Sequence, residues 1–258
     1  MWKKKYPVVQ KKHWEHGDDE AANVYAAIQA ISSRLKEDQI TVVGNGSACV
    51  VGGHAYVIKK GQRFITNSAV AAMGYDLPAA IGAWTASRDS RCYSQGRDRS
   101  GEDLILVTGD GSIQMNLQEL QTIIHHKMGI KIFLINNGGY HSIRQTQKNF
   151  FGEPLIGIGV DSGDLSFPDM EKLAGAYGYP YIKAEHNSEL AKAVEQTLAV
   201  EGPVICEIFV SMDQNFEPKS SAKRLPDGTL VSPPLEDLAP FLPEEEMDRN
   251  MIIPRIRE

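Results

Sequence analysis

The sequence predicts an α/β fold, a single three-layer domain on a central, mostly parallel sheet of about six strands, because apolar strand-like runs alternate with segments of helical period. Three observations carry this reading. Apolar runs at residues 39–43, 104–109 and 130–136 each give way to a turn rich in Gly, Asn or Asp. Between the last two runs the apolar residues Leu117, Leu120 and Ile124 recur at helical spacing, so residues 104–140 read as strand, helix, strand. At 258 residues and 42% hydrophobic composition, the chain is large enough for one sizeable α/β core or two small ones.

Taken in order, residues 1–20 form a polar, charged arm without clear periodicity, residues 21–215 the folded domain, and residues 216–258 a Pro-rich, charged tail. The tail is expected to wrap over its own domain or a partner. Val24, Ile28, Ile31 and Leu35 predict a helix, and the strand at 39–43 runs into Gly44-Asn45-Gly46-Ser47, a Gly-rich turn able to cradle phosphate. Residues 63–66 read as a short strand. Residues 73–84 read as a helix of small residues, with Pro78 tolerated only near its first turn and Ala79, Ala80, Gly82 and Ala83 allowing close packing. Residues 88–102 form a charged surface loop.

In the central unit, Asn116 is placed to cap the helix with Glu119, and Met115 and Leu120 to staple its entry. His125, His126 and Lys127 suit its carbonyl end, and Gly129 its left-handed exit. Residues 141–160 are polar and Gly-rich, carry Phe150 and Phe151, and are expected to form a loop closing over a site. Helices at 168–177 and 188–200 and strands at 181–184 and 203–210 complete the alternation.

The chemistry concentrates where the central strands end. Parallel strands joined by one crossover helix set their carboxyl ends side by side, the edge where open α/β sheets bind ligands. Asp110 and Asn137 should therefore face one another. A hard cation such as Mg²⁺ takes oxygen ligands and prefers one or two from the protein, plus phosphate oxygens. Asp110 offers a carboxylate, Asn137 an amide oxygen and Gly139 a carbonyl, while Gly111 and Ser112 offer N–H and hydroxyl donors to a diphosphate. A lone GDG or NNGG is most often only a turn. Both together, each at a strand end with a helix between, make a Mg-diphosphate clamp the stronger reading.

Other classes are disfavoured. The net charge of -6 offers no basic stripe for nucleic acid. Cys49, Cys92 and Cys206 form neither a CxxC nor an even set, as expected of reduced cytosolic thiols. No run reaches membrane-spanning length, and the basic start MWKKKYPVV is not followed by a signal-type apolar segment. His54, His125, His126 and His141 lack zinc spacing.

GDGSIQMNLQEL and INNGGY resemble the thiamine diphosphate motif, and more closely its acetolactate synthase branch. The resemblance covers residues 41–210 and implies the thiamine diphosphate-binding fold, with Mg²⁺ on Asp110, Asn137 and Gly139. It puts the cofactor on Gly109, Asp110, Gly111, Ser112, Asn137, Gly139 and Tyr140. Gly46 and Ser47 match part of a family GQHQ stretch whose Gln and His are absent here. The segment RFITNSAVAAMGYDLPAAIGA resembles GxGTMGxGLPAAIGA, which implies that Ala71, in place of a family Gly, and Met73 hold the aminopyrimidine ring. Met115 matches the bulky side chain that bends the cofactor into a V. His141 stands where the family usually has Gly.

The implied activity is decarboxylating carboligation of a 2-oxo acid, with pyruvate the first donor to try. Thr146 stands in for a family Trp that selects the acceptor, so a different or sugar-like acceptor, or simple decarboxylation, is the alternative. The family's activating Glu comes from a pyrimidine-binding domain on a neighbouring subunit, and no segment here resembles it. The chain is therefore expected to be half of a split enzyme or a C-terminal domain, inactive alone and working in a homo- or hetero-oligomer. A non-catalytic cofactor-binding subunit is the third reading.

Overall fold

The computed structural model describes residues 2–89 and 102–255, so most of the loop expected at 88–102, with Cys92, lies outside the described residues. Val9–Gln214 form one compact unit, and Met1–Val8 with Asn215–Glu258 another. In the first unit six strands, β1 (Ile40–Val43), β2 (Arg63–Ile65), β3 (Leu104–Gly109), β4 (Ile130–Asn136), β5 (Tyr181–Ala184) and β6 (Val204–Phe209), form an all-parallel sheet in the order β2-β1-β3-β4-β6-β5. Its central strands are buried along nearly their whole length, as strands covered on both faces must be. The chain leaves β1 toward β2 and leaves β3 toward β4, in opposite directions along the sheet. The crevice between the carboxyl ends of β1 and β3 is thus the topological switch point, where such sheets bind ligands.

In chain order, α1 (Trp2–Lys5) and α2 (Lys11–Trp14) are single-turn helices within the stretch expected to be an arm. Helix α3 (Val24–Arg34) follows the predicted periodicity, and the Asn23 side chain accepts from the N–H groups of Tyr25 and Ala26 at its start. Helix α4 (Ser47–Ala55) was not foreseen, because SACVVGGHA has no apolar stripe. Helix α5 (Asp76–Arg88) begins three residues later than expected, since Gly74 takes φ 78° and breaks the path; Pro78 then sits in the first turn.

The central helix departs from its predicted limits at both ends. The chain turns helical directly at Asp110, as α6 (Asp110–Ile113), passes through a 3₁₀ turn at Gln114–Asn116 and continues as α7 (Glu119–His125). Asn116 does not cap it: its amide instead donates to Gly74 O at 2.6 Å, tying this turn to the approach of α5. Nor does Met115 staple it, for its side chain is 49% exposed. At the exit, Lys127 and not Gly129 takes the left-handed conformation, at φ 49°. Gly129 serves close approach, since a Cβ there would lie 2.6 Å from Asp103 Oδ1.

Residues 141–150, expected as loop, form helix α8 (His141–Phe150). Its inward residues are His141, Arg144 and Gln145, while its apolar Ile143 and Phe150 are exposed, so the buried face is polar and the usual apolar-inward reading fails. Helices α9 (Met170–Tyr177) and α10 (Asn187–Ala199) cover the sheet near β5 and β6. The second unit holds a two-stranded hairpin, β7 (Lys223–Arg224) with β8 (Leu230–Val231), and helix α11 (Glu244–Asn250), where Glu246 meets Tyr6 and Lys5.

Candidate functional site

A cavity of about 380 Å³ opens at the switch point. It is bounded by the turn after β1, the residues that end β3 and open α6, and the turn between β4 and α8. Of the residues singled out in the sequence, Gly46, Ser47, Met73, Gly109, Asp110, Gly111, Ser112, Asn137, Gly139 and Tyr140 line it. Ala71 and Met115 do not. Ala71 holds φ 52° in the turn before Met73, a conformation natural for Gly and strained for Ala. Met115 stands against Gly74, where an added Cβ would come within 2.5 Å of Met115 Cβ.

Asp110 and Asn137 line the same cavity, as their strand ends require. Asp110 is buried, with Oδ1 accepting from Gly111 N–H at 2.7 Å and Oδ2 from Gly139 N–H at 2.9 Å. Burial pushes its carboxyl up to about 6, against the opposing pull of those N–H groups. Asn137 spends its amide N–H on Ser47 Oγ at 2.9 Å. Its Oδ1 is buried and receives no hydrogen bond among the described residues. A buried acceptor without a donor carries a desolvation penalty of about 1–3 kcal/mol, so native structures rarely leave one without a reason. An orphan amide oxygen beside a buried carboxylate is an acceptor-only site, which suits a cation.

Two donors expected for a diphosphate are engaged within the chain. The Gly111 N–H goes to Asp110, and Ser112 Oγ accepts from Gly74 N–H at 3.0 Å while also bonding Asp76. Asp76 was missed in the sequence, although a charge inside the small-residue run MGYDLPAAIGA was a signal. It is fully buried, holds Thr108 Oγ1 and Ser112, and is raised above its ordinary value by desolvation.

Of the polar inner face of α8, only His141 was singled out in the sequence; Arg144 and Gln145 were missed. His141 lines the cavity and bonds Gln214 O at 2.6 Å; burial holds its imidazole below the ordinary histidine value. Arg144 is fully buried and paired with Asp161. Thr146, expected from the resemblance to replace a family Trp, is exposed on α8, and its hydroxyl donates to Ser142 O.

The family model described as thiamine pyrophosphate enzyme, C-terminal TPP binding domain, matches residues 44–208. The chain belongs to this family. Within it, the chain is 34% identical over 157 residues to the acetolactate synthase large subunit of Cyanidium caldarium, covering 60% of this chain and 24% of that protein. It is 29% identical over 218 residues to that of Porphyra purpurea, covering 84% of this chain and 33% of the relative. Against acetolactate synthase 1, chloroplastic, of Nicotiana tabacum it is 29% identical over 196 residues, or 74% of this chain and 27% of the relative. The chain thus spans about a quarter to a third of the relatives it matches. The thiamine pyrophosphate-binding domain accounts for the six-stranded parallel sheet and for a cavity at its switch point. No helix among the described residues is long and apolar enough to cross a membrane.

Proposed function

We propose that this chain is the diphosphate- and Mg²⁺-binding part of a thiamine diphosphate-dependent, decarboxylating 2-oxo acid carboligase that resembles acetolactate synthase. The observation that carries the cation is the buried, unsatisfied Asn137 Oδ1 beside the buried Asp110 carboxylate. Asp110, Asn137 and the Gly139 carbonyl would hold Mg²⁺, which prefers oxygen ligands and keeps places for phosphate oxygens. Gly46 and Ser47 from one side, and Gly109, Gly111, Ser112 and Tyr140 from the other, would hold the diphosphate end. Met73 would take the aminopyrimidine from within the cavity, and Ala71 and Met115, which stand outside its lining, would meet the rings where they emerge from it. Thiamine diphosphate, when bound, supplies the acidic ring carbon that adds to the 2-oxo acid and lets carbon dioxide leave.

The chain's own residues orient and shield. The buried Asp110 fixes Gly111 and Gly139 by their N–H groups, and Ser112 fixes Gly74 next to Met73. The activating carboxylate is assigned to a pyrimidine-binding domain, on the same or another polypeptide, seated over this site in a homo- or hetero-oligomer. Exposed apolar side chains at Val70, Met115 and Ile143 support such a seat. Without that carboxylate, turnover should fall by roughly 10²–10⁴-fold, the usual contribution of a general acid or base. The domain boundaries proposed with this reading are 1–20, 21–215 and 216–258.

The test is to assay the purified chain with thiamine diphosphate, Mg²⁺ and pyruvate, alone and with a candidate partner carrying the glutamate. Turnover only in the mixture is expected. Robust decarboxylation by the chain alone would overturn the split-site assignment.

A further inference from the structure

We propose that Arg144 is a positioning residue, which with Asp161 latches the segment around Gly159 onto the Asn137–Gly138–Gly139 turn and so sets the geometry of the cation site. The inference rests on the cation reading above and adds the device that shapes it. Arg144 is fully buried, and each of its guanidinium nitrogens has work. Its Nε and Nη2 donate to the two oxygens of Asp161 at 2.8 and 2.9 Å, a bidentate pair. Its Nη1 donates to Asn137 O at 3.2 Å, and Nη2 also to Gly138 O at 3.1 Å. One side chain thus grips the backbone of two consecutive residues of the turn and a carboxylate 17 positions down the chain.

The backbone closes the same joint. Gly139 and Gly159 form an antiparallel bridge, with Tyr140 N–H donating to Ile158 O at 2.6 Å and Val160 N–H to Gly138 O at 3.1 Å. Both glycines are required by proximity. A Cβ on Gly139 would lie 2.0 Å from Ile158 O, and one on Gly159 would lie 2.0 Å from Gly138 O and 2.8 Å from Arg144 Nη2. Gly139 also spends its N–H on Asp110, and Asn137 presents the orphan oxygen. The latch therefore acts on the residue whose side chain faces the cation and on the one that anchors Asp110. Lys at position 144 would keep the charge but lose the planar fork, and could not serve Asp161 and two carbonyls together.

The experiment uses the full chain and two independent variants, Arg144→Lys and Gly159→Ala, the second leaving the charge pair's residues in place. Titration calorimetry with thiamine diphosphate and Mg²⁺ should show affinity reduced at least about tenfold in each, the scale typical for partners that orient metal ligands. Hydrogen exchange on the metal-free chains should accelerate at Tyr140 and Val160 while amides of β3 and β4 stay protected, separating a loosened latch from unfolding. Unchanged affinity in both variants, or unchanged exchange at those two amides, overturns the latch. Absence of Mg²⁺-dependent binding in the parent chain overturns the cation reading instead, and the exchange arm still decides whether the latch exists.

Discussion

The two edges of the central sheet each bury an ionisable group, and they treat it in opposite ways. At the amino edge, Lys131 on β4 is wholly buried, yet its ammonium is matched by acceptors, namely Val200 O, Gly202 O at 2.7 Å and Asp103 Oδ2 at 3.4 Å. An ammonium has three donors, and here each finds an oxygen. At the carboxyl edge, Asp110 is almost as deeply buried, but only backbone N–H groups donate to it, the Arg144 cation acting on it without a hydrogen bond, and the neighbouring Asn137 Oδ1 adds another acceptor without a donor. The first edge is closed electrostatically by the chain itself. The second is left rich in acceptors, so the same degree of burial is matched within the chain in one place and left open to the proposed cation in the other.

The sharpest way to break this comparison is Asp110→Ala. If Asp110 is the carboxylate ligand proposed above, its loss should reduce Mg²⁺-dependent thiamine diphosphate affinity by more than roughly 100-fold, beyond the effect usual for a residue that only orients a ligand. The fold should survive, by circular dichroism. Equal affinity with and without Mg²⁺ in the parent chain would remove the cation from the site altogether.

The metal-free chain offers a second test, with a sign that can be worked out. The Asp110 carboxyl is raised from 3.8 to about 6 by burial, so the folded state favours its protonated form. That contribution to stability is fully present below pH ~4 and is lost as pH rises through about 6, amounting to at most about 3 kcal/mol for a shift of roughly two pH units. Asp110→Asn removes the titration. Urea unfolding should therefore show the variant gaining on the parent chain between pH 4 and pH 7; a constant difference across that range would mean the charge is not confined as described.

Lys131→Met probes the closed edge. It leaves the Val200 and Gly202 carbonyls without their donor, at a stability loss of about 2 kcal/mol by the usual penalty for buried unsatisfied groups. Cofactor affinity should stay unchanged, and a matching fall in affinity would show that the two edges are not separable. The smallest effect belongs to Ala71→Gly. Relief of the left-handed strain at φ 52°, partly offset by the entropy of glycine, should raise stability by about 0.5–1 kcal/mol in thermal unfolding. No gain there would mean that the turn is held by more than its backbone preference.

The alternation of strand and helix, the parallel sheet and the placing of Asp110 and Asn137 at one cavity were legible in the sequence, because apolar runs and their Gly and Asn ends are local patterns. So was the family, through GDG and NN at the ends of consecutive strands. Local pattern misled where a helix buries polar residues. Helix α8 packs His141, Arg144 and Gln145 inward, and helix α4 has too little side chain to show a face. The Asn116 cap failed for a related reason: its amide found a distant partner in Gly74, which no spacing rule contains.

What the sequence determined by itself is therefore the set of strand ends and the residue types placed on them, since both follow from period and turn chemistry along the chain. The tertiary structure alone decided that β1 and β3 are neighbours with connections leaving in opposite directions, which puts Ser47 within reach of Asn137. It also decided that Asn137 Oδ1 is left without a donor and that Arg144 reaches Asp161, because hydrogen-bond satisfaction depends on partners that only long-range packing brings together.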